Sequence, residues 1–249
     1  MAWRTILDGV LDVLAPGHAP VGTEQEEPDF HERLSRHWAD SYARLGPPPT
    51  QTPEPVEGSA DAVAPEVLTD QGLRFFRKGD LPSAMSAWRR AADGGSARAE
   101  HHLGVADARS GRYHQAEPRL RRAFEGGVAL AGKDLGLVLL REGRTEEAEL
   151  VWTVASERGV ADADALLGLL WSDRGDLDEA RRWWRRGALR ASPDAAYNLA
   201  LVLAEEGDFS AADDWLRRAA RAGHPSATDA LAWVGRLRFL RSHVLGWEQ

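Results

Sequence analysis

The sequence contains no cysteine, which excludes disulfide staples, thiolate metal sites and cysteine nucleophiles. Lysine is almost missing. Of 31 basic residues only Lys78 and Lys133 are lysine, and with so much alanine this points to a GC-rich, bacterial genome. No long apolar run exists: the longest, Ala165 to Trp171, is far short of the roughly 20 residues a helix needs to cross a bilayer. The first residues do not read as a signal peptide, because Asp8 and Asp12 interrupt any apolar stretch, and a cytoplasmic location is expected. A net charge of −8 lacks the basic footprint of non-specific nucleic-acid binding. What is present, 43% hydrophobic and 28% charged residues over 249 positions, is the composition of a folded protein with a sizeable core.

Charge and proline are unevenly spread. Residues 1–65 carry 11 acidic and 4 basic residues and nine of the thirteen prolines, and the rest of the chain is close to neutral. Trp3, Ile6, Leu7, Val10, Leu11 and Leu14 recur at helical spacing and predict a short amphipathic helix. A second runs from Asp29, placed as an N-cap, to Leu45, with Phe30, Leu34, Trp38 and Tyr42 on one stripe and Gly46 as terminator. The expected organisation is thus acidic helices over 1–46, a Pro-rich linker over 47–65, repeats over 66–224 and a terminal helix over 225–249.

The repeat decides the fold. Gly79, Gly111, Gly143, Gly175 and Gly207 stand 32 residues apart. Seven residues before them lie Gly72, Gly104, Gly136, Gly168 and Ala200; five after, Ala84, Ala116, Ala148, Ala180 and Ala212; nine after, Trp88, Leu120, Trp152, Trp184 and Leu216. A further row, Gly95, Gly127, Gly159, Ala191 and Gly223, closes each unit. Small residues facing small residues allow two helices to approach, and the tryptophans supply apolar area between pairs. Each unit is an antiparallel helical hairpin whose first helix ends in a left-handed glycine and whose second is capped by Asp80, Asp176 or Asp208. One hairpin cannot bury its own apolar face, so five must stack into a curved all-α solenoid. After Pro225, Trp233, Leu237, Leu240, Val244 and Trp247 form a stripe suited to covering the open end, with dimerisation through that helix as its second use.

The run Gly207 to Gly223, GDFSAADDWLRRAARAG, preceded by AAYNLALVLAEE, resembles a Sel1-like repeat, the tetratricopeptide-repeat (TPR) subclass written A-x-x-x-L-G, G, A-x-x-W and A-A-x-x-G. The resemblance covers about residues 66–235 and departs in its period of 32, shorter than the 34 of tetratricopeptide repeats. It implies a right-handed α-α superhelix and a non-catalytic scaffold or adaptor that binds protein or peptide.

Other patterns have simpler explanations. Gly127, Gly132 and Lys133 match the start of a phosphate-binding loop, but Asp134 stands where a magnesium-binding hydroxyl belongs and no strand precedes them. Adjacent His101 and His102 point about 100° apart on a helix, and His31 and His37 are six apart, so neither pair suits a metal ion. Asp162, Asp164, Glu146, Glu147 and Glu149 read as first-turn acids favoured by the helix dipole. The string Arg181, Arg182, Trp183, Trp184, Arg185 and Arg186 reads as a salt-bridged outer face rather than a stacking platform, since Trp184 falls in the core row. No catalytic residue, metal or cofactor is expected.

The family resemblance places the concave groove on the first helix of each hairpin. By register its lining is Arg77, Arg109, Arg141, Asp173 and Glu205 in one row and Thr69, His101, Lys133, Ala165 and Tyr197 in another. The groove should be basic in its N-terminal half and acidic or neutral beyond. The family's carboxylate-clamp asparagines are represented only by Asn198. The expected ligand is an acidic or helical peptide held by charge-assisted hydrogen bonds. The helix Asp29 to Leu45, tethered at roughly millimolar effective concentration, is an internal candidate; alternatively the N-terminal helices dock on a partner.

Overall fold

Each hairpin is built by the same terminating chemistry. In a computed structural model that describes residues 63–243, the first helices are α1 (Pro65–Arg77), α3 (Ala97–Arg109), α5 (Ala129–Arg141), α7 (Ala161–Asp173) and α9 (Pro193–Glu205). The second helices are α2 (Leu81–Asp93), α4 (Tyr113–Glu125), α6 (Thr145–Glu157), α8 (Leu177–Leu189) and α10 (Phe209–Arg221), and α11 (Ala227–His243) follows. The N-terminal helices and the linker expected over residues 1–62 lie outside the described residues, as do Val244 and Trp247.

Gly79 adopts φ +79° and its equivalents +73° to +83°. The Asp80 amide reaches the Phe75 carbonyl at 3.0 Å and the Gly79 amide that of Phe76 at 2.9 Å, the paired bonds that satisfy the last carbonyls of a helix. The predicted aspartate caps form: Asp80, Asp176 and Asp208 accept from the amides of Ser83, Glu179 and Ala211 at 3.0–3.1 Å. Ser96 and Ser192 cap α3 and α9 in the same way. Between hairpins, Ala191 takes φ +67° where its equivalents are glycine, which costs an L-residue about 1 kcal/mol.

The tryptophan row packs inside each hairpin as well as between hairpins. Trp88, Trp152 and Trp184 lie directly on Gly72, Gly136 and Gly168 of the partner helix, where an added Cβ would sit 2.2–2.3 Å from the indole nitrogen. Each indole N–H donates to a first-helix carbonyl, of Thr69, Lys133 and Ala165 respectively, at 3.1–3.2 Å. Where leucine replaces tryptophan, this bond is absent; the small position is Ala200 in the fifth hairpin, but at Gly104 in the second an added Cβ would still fall 2.7 Å from Leu120 Cγ. The indole face of Trp88 also meets the next hairpin, stacking on His102 at 4.9 Å.

The deepest core lies mid-array, with Trp152, Leu135, Leu139, Leu166, Leu167 and Leu170 fully buried. At the C-terminal end α11 lays Ala230, Val234, Leu237 and Leu240 inward against α10. Arg241, exposed, donates to the Gly207 carbonyl at 2.7 Å and sits over Phe209. Phe239 remains 57% exposed.

Candidate functional site: the inner wall of the array

Successive first helices approach one another at every junction, α1 to α3, α3 to α5, α5 to α7 and α7 to α9, more closely than any two second helices do. Closer spacing on one side makes that side the inside of the curve, so the first helices form the inner wall. Their two register rows have different fates.

The row that ends each first helix projects outward: Arg77, Arg141, Asp173 and Glu205 are exposed and Arg109 is half-buried. Its sign changes between the third and fourth hairpins. The other row is drawn into the junctions. Thr69 is fully buried, with its hydroxyl 2.9 Å from Ser96 Oγ of the next hairpin. His101 Nε2 meets Asp134 Oδ2 of the next first helix at 2.8 Å, and Lys133 Nζ lies 4.0 Å from the same carboxylate. Ala165 is buried. The Tyr197 ring stacks on His224 at 4.0 Å, and burial, reinforced by the Asp229 charge, pushes its phenol up. Asn198 is half-buried. Of the polar and basic groove candidates, Arg77 and Arg141 face solvent, Arg109 and Asn198 do so in part, and His101, Lys133 and Tyr197 are engaged within the stack.

His102, beside this row, has its pKa lowered to about 4 by burial first, then by His101 and Arg98, against an opposing contribution from Asp70. It is therefore neutral near pH 7, packed on Trp88.

Position-by-position reading of the repeat misses the acids that lock one hairpin to another. Asp164, assigned to the helix dipole from sequence, is fully buried; it accepts from the Ser156 hydroxyl and from Arg190 at 3.0 Å, with Arg186 at 3.7 Å. Arg190 also donates to the Ser156 carbonyl at 3.0 Å, and one repeat earlier Arg158 donates to the Phe124 carbonyl at 2.8 Å. Each thus closes the end of the preceding second helix. The only sequence trace of this is a row that runs Gly94, Gly126, Arg158, Arg190, Ala222. On the outer side, Glu149 pairs with Arg174 at 2.7 Å, and one repeat later the signs are exchanged as Arg181 and Glu206. A stack slipped by one hairpin would bring like charges together there.

The remaining motifs take their expected structural roles. Gly127 is a turn at φ +91°, Gly132 lies inside α5 against Phe124 and Ala155, and no strand occurs among the described residues. Arg182 pairs with Glu179 at 2.8 Å, Arg186 lies over Trp183, and Trp184 is buried. No cluster of metal-ligating side chains is found among the described residues, and none of their helices is long and apolar enough to cross a membrane.

The sequence profile of the tetratricopeptide repeat matches residues 161–186 and 193–218, which are the hairpins α7–α8 and α9–α10. In structure the chain is similar to a Sel1 repeat protein from Oxalobacter formigenes, with a TM-score of 0.61 and 21% identity over 82% of this chain and 87% of that one. It is also similar to PilF of Pseudomonas aeruginosa, with a TM-score of 0.55 and 21% identity over 72% and 91% of the two chains. No curated protein matches it in sequence. Two hairpins matched directly, three more in the same 32-residue register and a solenoid of the same architecture lead to one conclusion: the chain carries tetratricopeptide repeats and has the fold of a tetratricopeptide/Sel1-like solenoid.

Proposed function

We propose that this protein is a non-catalytic interaction scaffold whose inner wall binds a peptide or helix of a partner protein. The observation that carries this reading is the division of the wall. The polar groups of the Thr69, His101 and Lys133 row are consumed in hairpin stacking, but Arg77, Arg109, Arg141, Asp173 and Glu205 form a charged row left largely in solvent. Guanidinium groups offer forked, charge-assisted bonds to carboxylates. The basic half suits an acidic segment. No catalytic role is assigned to any residue.

The test is quantitative affinity capture from native lysate with the full chain and an Arg77→Glu/Arg109→Glu/Arg141→Glu variant that retains its helicity. The reading expects a partner to be captured by the first and lost by the second; equal capture by both refutes it. Residues 24–45, acidic and apolar in turn, would act as an internal competitor. Deleting residues 1–62 should then raise partner affinity, and unchanged affinity would remove this self-regulation.

A further inference from the structure

The C-terminal end of the array differs from every junction before it. Each of the five first helices has 13 residues and a second helix laid against it, whereas α11 has 17 residues, packs on α10, and has no second helix of its own among the described residues. The register shows where that helix is missing. Gly72, Gly104, Gly136 and Gly168 lie under the tryptophan or leucine of their own second helix, and Ala200 in the same row is buried, but Ala232, the sixth of the row, is exposed. Four residues further along their helices Ala108, Leu140 and Ala204 are buried, and the equivalent Arg236 is exposed. Phe239 stands in the row of the left-handed glycines that end the other first helices, so α11 runs on by a turn and carries a ring that is 57% exposed. Between them, no described atom lies within 4 Å of a Cβ placed on Gly235, whereas at every other glycine inside the described helices a neighbour lies 2.2–2.7 Å from that point.

Thr228, Ala232, Gly235 and Phe239 recur at spacings of four and three and so share one face of α11. Asp229 and Arg236, both exposed, are two turns apart and flank that face on one side. When two identical helices pack antiparallel about a two-fold axis, like flanks meet, and Asp229 of each copy comes opposite Arg236 of the other. We infer that this face binds a second copy of the chain, the two α11 helices packing antiparallel so that each takes the place of the other's missing second helix. The flank is complementary to itself; a partner flank of a single sign would meet one opposite charge and one like charge. Ala232 and Gly235 fall at the two-fold axis, where their small size lets the backbones approach, and each Phe239 covers Thr228 of the other copy. A 17-residue helix is about 25 Å long, and one such face is small for a permanent interface, so the pairing is reversible and depends on concentration.

The experiment is sedimentation equilibrium of the full chain at low salt, loaded from about 1 to about 300 μM, the weak end of specific association. The native chain should pass from monomer to dimer across this range. Asp229→Arg and Arg236→Asp change exposed residues and should leave the thermal melt of the dilute chain unchanged, yet each should weaken self-association tenfold or more. Mixed in equal amounts the two variants should recover the dimer, because one then presents two arginines and the other two aspartates. The double swap Asp229→Arg/Arg236→Asp in one chain should dimerise as the native chain does. A native chain that stays monomeric throughout overturns the proposal. A dimer that neither single variant weakens also overturns it, since the contact then lies on another surface, and a mixture no stronger than its parts refutes the antiparallel pairing.

Discussion

The two rows of the inner wall occupy equivalent positions on the same five helices, yet one is built into the stack and the other is largely exposed to solvent. Thr69, His101, Lys133, Ala165 and Tyr197 point to where neighbouring hairpins meet, and their polar groups find Ser96, Asp134 and His224 there. Arg77, Arg109, Arg141, Asp173 and Glu205 end their helices, exposed except for the half-buried Arg109. A solenoid assigns its residues by whether a neighbouring repeat covers them. Substitutions in the first row should therefore act on stability, and substitutions in the second on recognition.

The largest expected effect breaks the buried row from beneath. Gly136→Ala drives a methyl into Trp152 and displaces the indole from the Lys133 carbonyl; about 3 kcal/mol should be lost, measured by urea unfolding, whereas Gly235→Ala, with nothing near its Cβ position, should cost nothing. The next is set by pH. His102 titrates near 4 when folded and 6.5 when unfolded, so the unfolded chain binds the extra proton between these values. Its contribution is complete above about pH 6.5 and is lost as pH falls through 4, to an extent of about 3 kcal/mol. Thermal melts should show this decline, and His102→Gln should flatten it in that window.

Asp134→Asn comes third. It removes the carboxylate shared by His101 and Lys133 and should cost about 2 kcal/mol. In combination with His101→Gln the losses should be less than additive, which a double-mutant cycle measures. The smallest is a gain: Ala191→Gly relieves the left-handed backbone at the junction before α9 and should stabilise by about 1 kcal/mol, visible as a higher Tm.

The fold was legible because a repeat writes its own alignment. Glycine, alanine and tryptophan rows in constant register fix hairpin, turn and stacking together, and the caps at Asp80, Asp176 and Asp208 follow from their place after a left-handed glycine. The site was half legible. Reading down a row shows what residues share, but a junction joins different rows, His101 to Asp134 and Asp164 to Arg190, 33 and 26 residues apart. Those offsets match neither the period nor a helical spacing. The tryptophan row shows the same gap: its area between hairpins was foreseen, its close fit on the partner-helix glycine was not.

The most direct test of the division of the wall compares Arg77→Glu/Arg141→Glu with Asp134→Asn in one pair of assays, partner capture and thermal unfolding. The account predicts that the double variant keeps its Tm and loses the partner, and that Asp134→Asn lowers its Tm and, below its transition, still captures the partner. A double variant that melts early while retaining the partner would contradict it.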